Sequence, residues 1–349
     1  MRVLQLDTVD FLQSMVGVVD NKNYPLVTFA LIAYNQEKYV ADAIAAAFSQ
    51  TYSHLEIILS DDCSSDGTFE VMRHAVEEYR GPHRVVLNRN PINLNIGGHV
   101  NVIADLATAE FIVLAAGDDV SIPFRTEKLV QQWNALGRPP AVLFSDFEPI
   151  DGESKVVTLN GEKLYRGPFL LDNMARGEIR VLGATTAITK NVFSLFPPLN
   201  SDVRYEDKIL PFRALLLGGV VVLIEEKLVK YRIDGGISRV HLKSGRDYLY
   251  RIIPNFLERT LPDAVQRLMD LIFISPENFK LNKECERTIF NLKALIALIG
   301  VKGWFGLEIC LLEWMLSGAR PFALIKLYLK LRFVIIYDLY FKFLIKNKK

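Results

Sequence analysis

Apolar runs of strand length alternate with stretches of helical periodicity along the first part of the chain, and polar residues mark each change. Residues 26–33 are an apolar run that predicts a buried strand, and 37–49 carry apolar positions at helical spacing. The same alternation predicts strands at 55–60, 84–87, 111–115 and 141–145, and helices at 68–79, 97–106 and 123–135. Strands and helices in alternation are typical of an α/β fold, in which a mostly parallel central sheet is flanked by helices.

The alternation loosens after Ile150, where glycine and proline residues interrupt it, and this predicts a loop-rich second half. Three later elements are still predicted: a helix at 207–217, a strand at 220–224 and a glycine-containing loop at 231–238. Beyond Leu242 the sequence becomes helical and increasingly apolar, so we place a domain boundary near Lys243. The predicted units are an N-terminal extension (1–24), an α/β domain (25–243) and a C-terminal helical extension (244–349).

Charge and cysteine content exclude several classes of protein. The chain has 349 residues, ample for a buried core, and 41 Lys and Arg against 40 Asp and Glu give a formal net charge of +1. A chain so balanced has no overall basic surface, which argues against a nucleic-acid partner. Cys63, Cys285 and Cys310 are far apart, which argues against a disulfide framework and a cysteine zinc site and fits a reducing compartment.

Neither a targeting segment nor a spanning helix is predicted. Residues 1–23 carry three aspartates and lack a basic start followed by an apolar run, so we expect no signal peptide and a cytoplasmic protein. No run of about 18 uncharged apolar residues occurs in the sequence, which disfavours a transmembrane helix of the usual kind.

Polar residues follow three of the predicted strands at the point where each strand ends. In an open α/β sheet, ligands bind at the carboxyl ends of the strands, near the point where strand order reverses. Carboxylates gathered there favour Mg²⁺ or Mn²⁺, hard cations that prefer oxygen ligands. The segments concerned are Tyr34-Asn35, Asp61-Asp62 and Gly117-Asp118-Asp119, and the helix start at Asn95-Ile96-Gly97-Gly98 adds free amides that favour negative charge.

Each of these features also has a purely structural interpretation. Asp at a junction between strand and helix commonly caps the helix, which stabilises it by about 1 kcal/mol. The G-x-G-x-x-G motif, the P-loop, His-Glu-x-x-His and Gly-x-Ser-x-Gly are all absent from the sequence. Dinucleotide oxidoreductases, P-loop kinases, zinc hydrolases and serine hydrolases of the usual kind are therefore disfavoured.

The order and spacing of several segments together carry a family resemblance. These segments are Ala33 to Val40, Gln50-Thr51-Tyr52, Leu55 to Thr68, Asn95-Ile96-Gly97 with Asn101, Ala109 to Leu114, Gly117-Asp118-Asp119, Tyr205-Glu206-Asp207 with Arg213 and Gly218, and Tyr231-Arg232 with Gly235 and Ser238. In this order they closely resemble family two glycosyltransferases, which have the GT-A fold. The likeness covers roughly residues 25–238.

The resemblance implies a division of labour within the α/β domain. Residues 25–120 would be the nucleotide-binding half and 121–243 the acceptor half. Asp118 would be the main protein ligand of the metal, with Asp119 beside it, and Asp207 would be the general base, with Glu206 next to it. The residues implied at the nucleotide are Ala33, Tyr34, Asn35, Glu37, Asp61, Asp62, Asn95, Gly97, Gly117 and Asp118.

The implied reaction is transfer of a sugar from a nucleotide-diphosphate donor to a hydroxyl acceptor, with inversion at the anomeric carbon and Mg²⁺ or Mn²⁺ as cofactor. Two positions depart from the family pattern. Ala116 stands where the family has the first Asp of its D-x-D motif, which implies fewer protein ligands for the metal, and Asp234 stands where many relatives have His.

Three other functions remain open on the sequence. A nucleotidyltransferase also uses carboxylates and a metal, and a glycoside hydrolase also uses two carboxylates. A catalytically inactive nucleotide-sugar binding module is compatible with Ala116. The segment Glu206-Asp207 would also suit the start of a helix, where the helix dipole favours negative charge.

The C-terminal end of the chain has a distinct charge pattern. Residues 321–349 contain seven basic residues and one acid, a net charge of +6, which leaves −5 for the rest of the chain. On a helix, its apolar positions form one stripe, Phe322, Ile325, Leu329, Phe333, Ile336, Tyr340 and Phe343. This pattern predicts an anchor at a membrane surface, with Leu292 to Leu316 assisting.

Membrane contact fits a lipid-linked or growing surface glycan as acceptor, as in the synthesis of bacterial lipopolysaccharide or capsule. The expected location is then peripheral, on the inner face of the cell membrane. The alternative is that the C-terminal helices pack on the α/β domain or on a second subunit of a homo-oligomer.

Overall fold

The computed structural model describes residues 24–158, 164–179, 181–233 and 253–300. Several features of the sequence lie outside the described residues: the extension before Tyr24, the predicted boundary near Lys243, the loop residues at 234–238 and the basic segment at 321–349.

The described strands form one mixed sheet. Its order is β3-β2-β1-β4-β7-β6-β8-β5. Pairing is parallel for β1 with β2, β1 with β4, β2 with β3 and β6 with β8, and antiparallel for β7 with β4, β7 with β6 and β5 with β8. The strands are β1 Val27–Ala33, β2 Leu55–Asp61, β3 Arg84–Arg89, β4 Phe111–Ala116, β5 Val120–Ser121, β6 Ala141–Ile150, β7 Thr186–Thr189 and β8 Val220–Arg232.

Helices cover both faces of this sheet, and one 3₁₀ turn, Gly183–Thr185, precedes β7. The α/β class and the GT-A architecture with C-terminal helices are confirmed. The described helices are α1 Val40–Phe48, α2 Thr68–Glu78, α3 Asn95–Leu106, α4 Arg125–Ala135, α5 Leu171–Ala175, α6 Asn191–Ser194, α7 Glu206–Leu216, α8 Ile253–Ile274 and α9 Phe279–Gly300.

The strand β1 is apolar except for Thr28, because both of its faces are buried. Phe29 and Leu31 point into a cluster formed with α1, α2 and α4, whereas Ala30 points into a cluster formed with α3 and α7. A strand covered on both faces is expected to be a continuous apolar run, which is how residues 26–33 were identified as a strand.

The first C-terminal helix, α8, is held to the α/β domain by a buried ion pair. Arg213 of α7 binds the carboxylate of Asp270 with two contacts, Nε to Oδ2 at 2.7 Å and a terminal nitrogen to Oδ1 at 2.8 Å, and both side chains are fully buried. Leu271 of α8, together with Leu281 and Cys285 of α9, joins the core cluster that contains α7. The expected alternative, packing of C-terminal helices on the α/β domain, is therefore observed for α8 and for this part of α9.

The polarity of α8 is inverted between Leu261 and Ile274. Asp263, Gln266, Arg267 and Asp270 are buried, and the exposed positions are apolar: Val265, Met269, Ile272 and Phe273. Over the described ranges of the chain, no helix combines the length and hydrophobicity that crossing a bilayer requires.

Candidate active site

The carboxyl ends of β1, β2 and β4 meet at one edge of the sheet. Ala33 pairs with Asp61, and Ile32 pairs with Ala116. Beyond these pairs, the Asp62 amide donates to the Ala33 carbonyl and the Gly117 amide to the Ile32 carbonyl, each at 2.9 Å. The strand order turns here, because β2 and β4 lie on opposite sides of β1. The polar residues predicted to face a ligand are thus brought together at the switch point of the sheet.

The loop after β1 is fastened to the loop after β2 by polar side chains. Asn35, in the left-handed region at φ +52°, accepts a hydrogen bond from the Ser65 amide at 2.9 Å, and its own amide donates to Oγ of Ser64 at 2.8 Å. The Glu37 carboxylate accepts the Gly67 amide at 2.9 Å. Asn35 and Glu37 therefore shape the rim of the site through loop-to-loop contacts. Tyr34, by contrast, is 45% exposed at this rim.

Asp61 and Asp62 are both buried and have different partners. Asp61 accepts the Ser64 amide at 2.9 Å and lies 3.4 Å from Nε of Arg89. Its Oδ1 has no hydrogen-bond partner among the described residues. Asp62 accepts the side-chain amide of Asn90 at 2.7 Å and the Leu94 amide at 2.9 Å. Asp62 thus fixes the segment that leads into α3.

The acidic pair after β4 lies in a tightly packed turn. At Gly117 a Cβ would lie 2.6 Å from Oε1 of Gln36 and 2.7 Å from Cβ of Ala33, so the turn requires glycine here. The side chain of Gln36 hydrogen-bonds Asp118 and links the loop after β1 to the acidic turn. Gln36 was not among the predicted site residues, since an amide within a polar loop carries no periodic signal.

Asp118 and Asp119 are 8% and 5% exposed. Burial raises the pKa of Asp118, against the lowering effect of its hydrogen bonds and of the nearby positive charge of Arg232. Burial first, and the negative charge of Asp118 second, raise the pKa of Asp119 well above its ordinary value. Oδ2 of Asp119 has no hydrogen-bond partner in the described part of the chain. Two carboxylates in a low-dielectric turn are a natural place for a cation.

Two buried arginines stabilise this turn. Arg232 donates from Nε to the Asp118 carbonyl at 2.9 Å, and its guanidinium also reaches the Asp151 carbonyl and Oγ of Ser154. Arg125 donates to Oγ of Ser121 at 2.8 Å, and burial lowers its pKa to about 9. Arg232 belongs to the segment that carried the resemblance, but its role and that of Arg125 were not predicted, because their contacts join distant parts of the sequence.

The start of α3 faces the segment that precedes α7. A Cβ at Gly97 would lie 2.5 Å from the Asn200 carbonyl oxygen and 2.9 Å from Cβ of Val203. Asn95, at φ +55°, accepts a hydrogen bond at Oδ1 from the guanidinium of Arg204. Gly97 therefore allows close packing within the protein, and Asn95 lies next to a basic side chain at the site.

The predicted catalytic segment, Glu206-Asp207, begins α7. Asp207 is buried, and Glu206 is partly buried. A Cβ at Gly183 would contact Oε1 of Glu206 and lie 3.5 Å from Cβ of Asp207, so the 3₁₀ turn packs against this segment.

The 3₁₀ turn connects the segment with the end of β4. A terminal nitrogen of Arg125 donates to the carbonyl of Leu114 in β4 at 2.7 Å and to that of Ala184 in the turn at 3.2 Å. The strands β4 and β7 are antiparallel, and Val113 pairs with Ala187 near the start of β7. The 3₁₀ turn directly precedes β7, so this turn lies beside the carboxyl end of β4. Glu206 and Asp207 thus flank the same edge of the sheet as Asp118 and Asp119.

Residues 28–190 match the sequence model of the family described as "Glycosyl transferase family 2". An uncharacterized glycosyltransferase of Haemophilus influenzae is 31% identical over 222 residues, which are 61% of this chain and 67% of that protein. The succinoglycan biosynthesis protein ExoO of Rhizobium meliloti is 28% identical over 254 residues, 70% of this chain and 72% of that protein.

Shorter or more distant similarities are also found. The putative glycosyltransferase EpsE of Bacillus subtilis is 35% identical over 106 residues. These residues are 30% of this chain and 37% of that protein, so the match spans little more than a third of EpsE. The crystal structure of S. aureus TarS 1-349 in complex with UDP-GlcNAc covers 78% of this chain and 81% of its own at 17% identity, with a TM-score of 0.48. From the family match and the Haemophilus relative, the chain belongs to glycosyl transferase family 2 and is a glycosyltransferase.

Proposed function

We propose that the protein transfers a sugar from a nucleoside-diphosphate donor to a hydroxyl group of a glycan or lipid-linked acceptor, with inversion at the anomeric carbon. The observation that carries the proposal is the placement of two acidic pairs at one sheet edge. Asp118 and Asp119 lie in the buried turn after β4, and Glu206 and Asp207 flank it across the turn Gly183–Thr185.

The donor nucleotide would lie over the carboxyl ends of β1 and β2. Tyr34 offers an exposed aromatic surface there, and Ala33 and Gly117 form the closely packed floor. We assign Asp61 and Asp62 the role of shaping the pocket, because both are buried and hold neighbouring loops. We assign Asn35 and Glu37 to the rim of the pocket because they also bind neighbouring loops. Asn95 and Gly97, at the start of α3, would form one side of the pocket.

The residues of the acidic turn fit a divalent cation such as Mg²⁺ or Mn²⁺. Oxygen donors suit these ions, and Oδ2 of Asp119 lacks a hydrogen-bond partner among the described residues. Ala116 has no side-chain donor atom, and in the described parts of the chain no three His, Cys, Asp or Glu side chains are grouped as a metal site. Asp118, with Asp119 beside it, would therefore hold the ion. When bound, it would neutralise charge on the leaving diphosphate, an effect of several kcal/mol.

Asp207 would act as the general base. As the acceptor oxygen forms its bond to the anomeric carbon, the hydroxyl proton passes to the Asp207 carboxylate and the bond between that carbon and the diphosphate oxygen breaks. Attack from the face opposite the diphosphate inverts the anomeric configuration. A base placed in this way contributes about 10² to 10⁴ in rate. Glu206, next to it and against Gly183, would assist in the same pocket.

The acceptor would be presented at an anionic membrane surface. The outer face of α8 exposes Met269, Ile272 and Phe273, while Asp263, Arg267 and Asp270 of that helix are buried. The segment 321–349 carries a net charge of +6. An apolar face combined with basic residues favours binding to anionic lipid. The name of ExoO, a succinoglycan biosynthesis protein, supports a growing polysaccharide as acceptor. The protein would then act peripherally, on the inner face of the cell membrane.

A ligand screen followed by a turnover assay tests the proposed reaction. Nucleotide sugars are screened for an increase in melting temperature with Mn²⁺ or Mg²⁺ present, because a ligand selective for the folded state stabilises it as ln(1 + [L]/Kd). Release of nucleoside diphosphate is then measured with the stabilising donor. We expect Asp118→Asn to lose the metal-dependent part of both signals and Asp105→Asn, an exposed position on α3, to retain them. Wild-type levels of both signals in Asp118→Asn would contradict the proposal.

A further inference from the structure

The segment that leads into α7 is held by one face of α8. The Arg204 amide donates to Oδ1 of Asp263 at 3.1 Å, and the Tyr205 amide donates to the same oxygen at 3.4 Å. Upstream, the Asn200 amide donates to Oε1 of Gln266 at 3.0 Å. Asp263 and Gln266 are three residues apart, so they lie on one face of α8.

The start of α7 has no cap of its own. Tyr205 occupies the N-cap position, and its side chain forms no capping hydrogen bond. The first amides of a helix need acceptors from elsewhere. Tyr205, the N-cap residue, and Arg204 before it donate their main-chain amides to the carboxylate of Asp263, which lies 58 or more residues away in the sequence.

The Asp263 carboxylate is fully buried, and a buried charge is costly unless it is well paired. Its Oδ2 has no hydrogen-bond partner within the described ranges, although the positive charges of Lys208 and Arg267 favour its ionised form. An apolar residue at this position would avoid the cost of burying a charge. It would, however, lose the two hydrogen bonds that Asp263 accepts from the main-chain amides of Arg204 and Tyr205.

We propose that Asp263 is a positioning residue, which fixes the backbone entering α7 and so sets the placement of Glu206 and Asp207 in the active site. The inference rests on the proposed function only in taking Asp207 as the base. It also gives the helical extension a part in catalysis, because α8 then completes the site from outside the region that matches the family, residues 28–190.

Three variants of the full chain separate this role from general stability. Asp263→Asn keeps Oδ1 as an acceptor, whereas Asp263→Leu has the same branching but replaces both oxygens by methyl groups. Asp270→Asn is the matched control, since Asp270 lies on the same face of α8 and is fully buried but binds Arg213, at the other end of α7. We expect kcat to fall at least tenfold in Asp263→Leu with less than a twofold change in donor KM, and to stay within threefold of wild type in Asp263→Asn and Asp270→Asn.

Amide hydrogen exchange gives a readout that does not depend on catalysis. In Asp263→Leu the exchange of residues 204–208 should accelerate at least tenfold, while that of α3 stays unchanged. Faster exchange together with an active Asp207→Asn would uphold the positioning role and refute Asp207 as the base. Unchanged exchange, or an equal loss of kcat in Asp263→Leu and Asp270→Asn, would overturn the inference. If Asp263→Leu does not fold, fast exchange of the Arg204 and Tyr205 amides in the wild type overturns it, and slow exchange upholds it.

Discussion

The main-chain amide of Arg232 donates a hydrogen bond to Oδ1 of Asp119 at 2.7 Å. Arg232 is the last residue of β8, and its side chain also donates from Nε to the Asp118 carbonyl. A single residue thus fixes the carboxylate of one member of the acidic pair and the backbone of the other. The ring of Tyr39 covers its guanidinium, 4.2 Å from ring centroid to Cζ. The end of β8 therefore shapes the acidic turn of the candidate site.

Replacing Arg232 should destabilise the protein and lower its activity together. Arg232→Met leaves the carbonyls of Asp118 and Asp151 without their donor in a buried place, and losing one partner of a buried charged network costs roughly 3 kcal/mol. The free energy of unfolding, measured by urea denaturation, should fall by about that amount. Lys230→Met, at an exposed position of the same strand, should change it by less than about 0.5 kcal/mol. Equal effects of the two changes would contradict this role for Arg232.

The parallel half of the sheet could be predicted from the sequence because its residues obey one rule. The strands β1, β2 and β4 are buried on both faces, so most of their residues are apolar, and their bounds lie within a residue or two of the predicted ones. The short strands β5 and β7 were not predicted, since two and four residues are too few to show a period. The strands β6 and β8 extend beyond their apolar starts through partly exposed residues, which no apolar run reveals.

The site was predictable only where chemistry concentrates in short motifs. The acidic pairs at Asp118 and Asp207 stand in such motifs. Arg125, Arg232 and Asp263 act through contacts that span 59, 113 and 59 residues, and only folding brings these partners together. Periodicity is also a weak signal for α8, because Asp263, Gln266, Arg267 and Asp270 are buried there and apolar residues occupy its exposed positions.

Asp207→Asn should abolish most of the catalytic rate and leave donor binding intact. The amide keeps the shape of the carboxylate but cannot take the hydroxyl proton, so kcat should fall about 10² to 10⁴-fold. Donor affinity, measured by calorimetry with Mn²⁺ present, should stay within threefold of wild type.

The matched control for this change is Asp202→Asn, five residues upstream and exposed, which should leave kcat unchanged. Glu206→Gln, beside the base, should reduce kcat by less than Asp207→Asn does. If Asp207→Asn turned over at the wild-type rate, the base would have to be a different group.

Gly97→Ala should disturb both folding and catalysis. The added methyl would lie 2.5 Å from the Asn200 carbonyl oxygen and 2.9 Å from Cβ of Val203, and neither atom is at the end of a flexible chain. Overpacking of this kind costs about 1 to 3 kcal/mol, and the segment displaced leads to Asp207, so the melting temperature and kcat should both fall.

Gly152→Ala serves as the comparison for Gly97→Ala. Its methyl would meet only the Tyr39 hydroxyl at 3.3 Å and Nζ of Lys38 at 3.7 Å, both at the ends of side chains that have room to move. Its melting temperature should stay within about 2 °C of wild type, because surface substitutions change stability by about 0.5 kcal/mol or less. A Gly97→Ala protein as stable as Gly152→Ala would show that residues 200–203 can move to accommodate the methyl group without lowering the stability of the protein.

His99 should make the protein less stable in mild acid. It is buried on α3, with Nε2 2.7 Å from Oγ of Ser60, and burial lowers its pKa below the ordinary 6.5, although the charges of Asp62 and Asp61 act in the opposite direction. The folded protein therefore keeps His99 neutral where the unfolded chain is protonated. Its contribution is complete above pH 6.5 and is lost as pH falls from there towards the lowered pKa.

Urea denaturation at pH 7.5 and pH 5.5 measures this loss. Wild type should lose more unfolding free energy between the two pH values than His99→Gln, which has no imidazole at position 99. His74→Gln, at an exposed position on α2, should behave as wild type. An identical pH dependence in His99→Gln and wild type would show that His99 is protonated alike in the folded and unfolded states.

The exposed apolar face of α8 should contribute to binding at an anionic membrane. Met269, Ile272 and Phe273 are each at least half exposed, and burying such a side chain in the lipid interface contributes roughly 1 kcal/mol, so replacing all three by Gln should weaken binding at least tenfold. Sedimentation of the full chain with vesicles containing anionic phospholipid measures this. A triple Gln variant at Ile92, Val156 and Leu195, which are equally exposed elsewhere, should pellet as wild type does. If both variants pelleted alike while only the α8 variant changed the molar mass of the protein in solution, the face would bind a second copy of the chain instead of lipid.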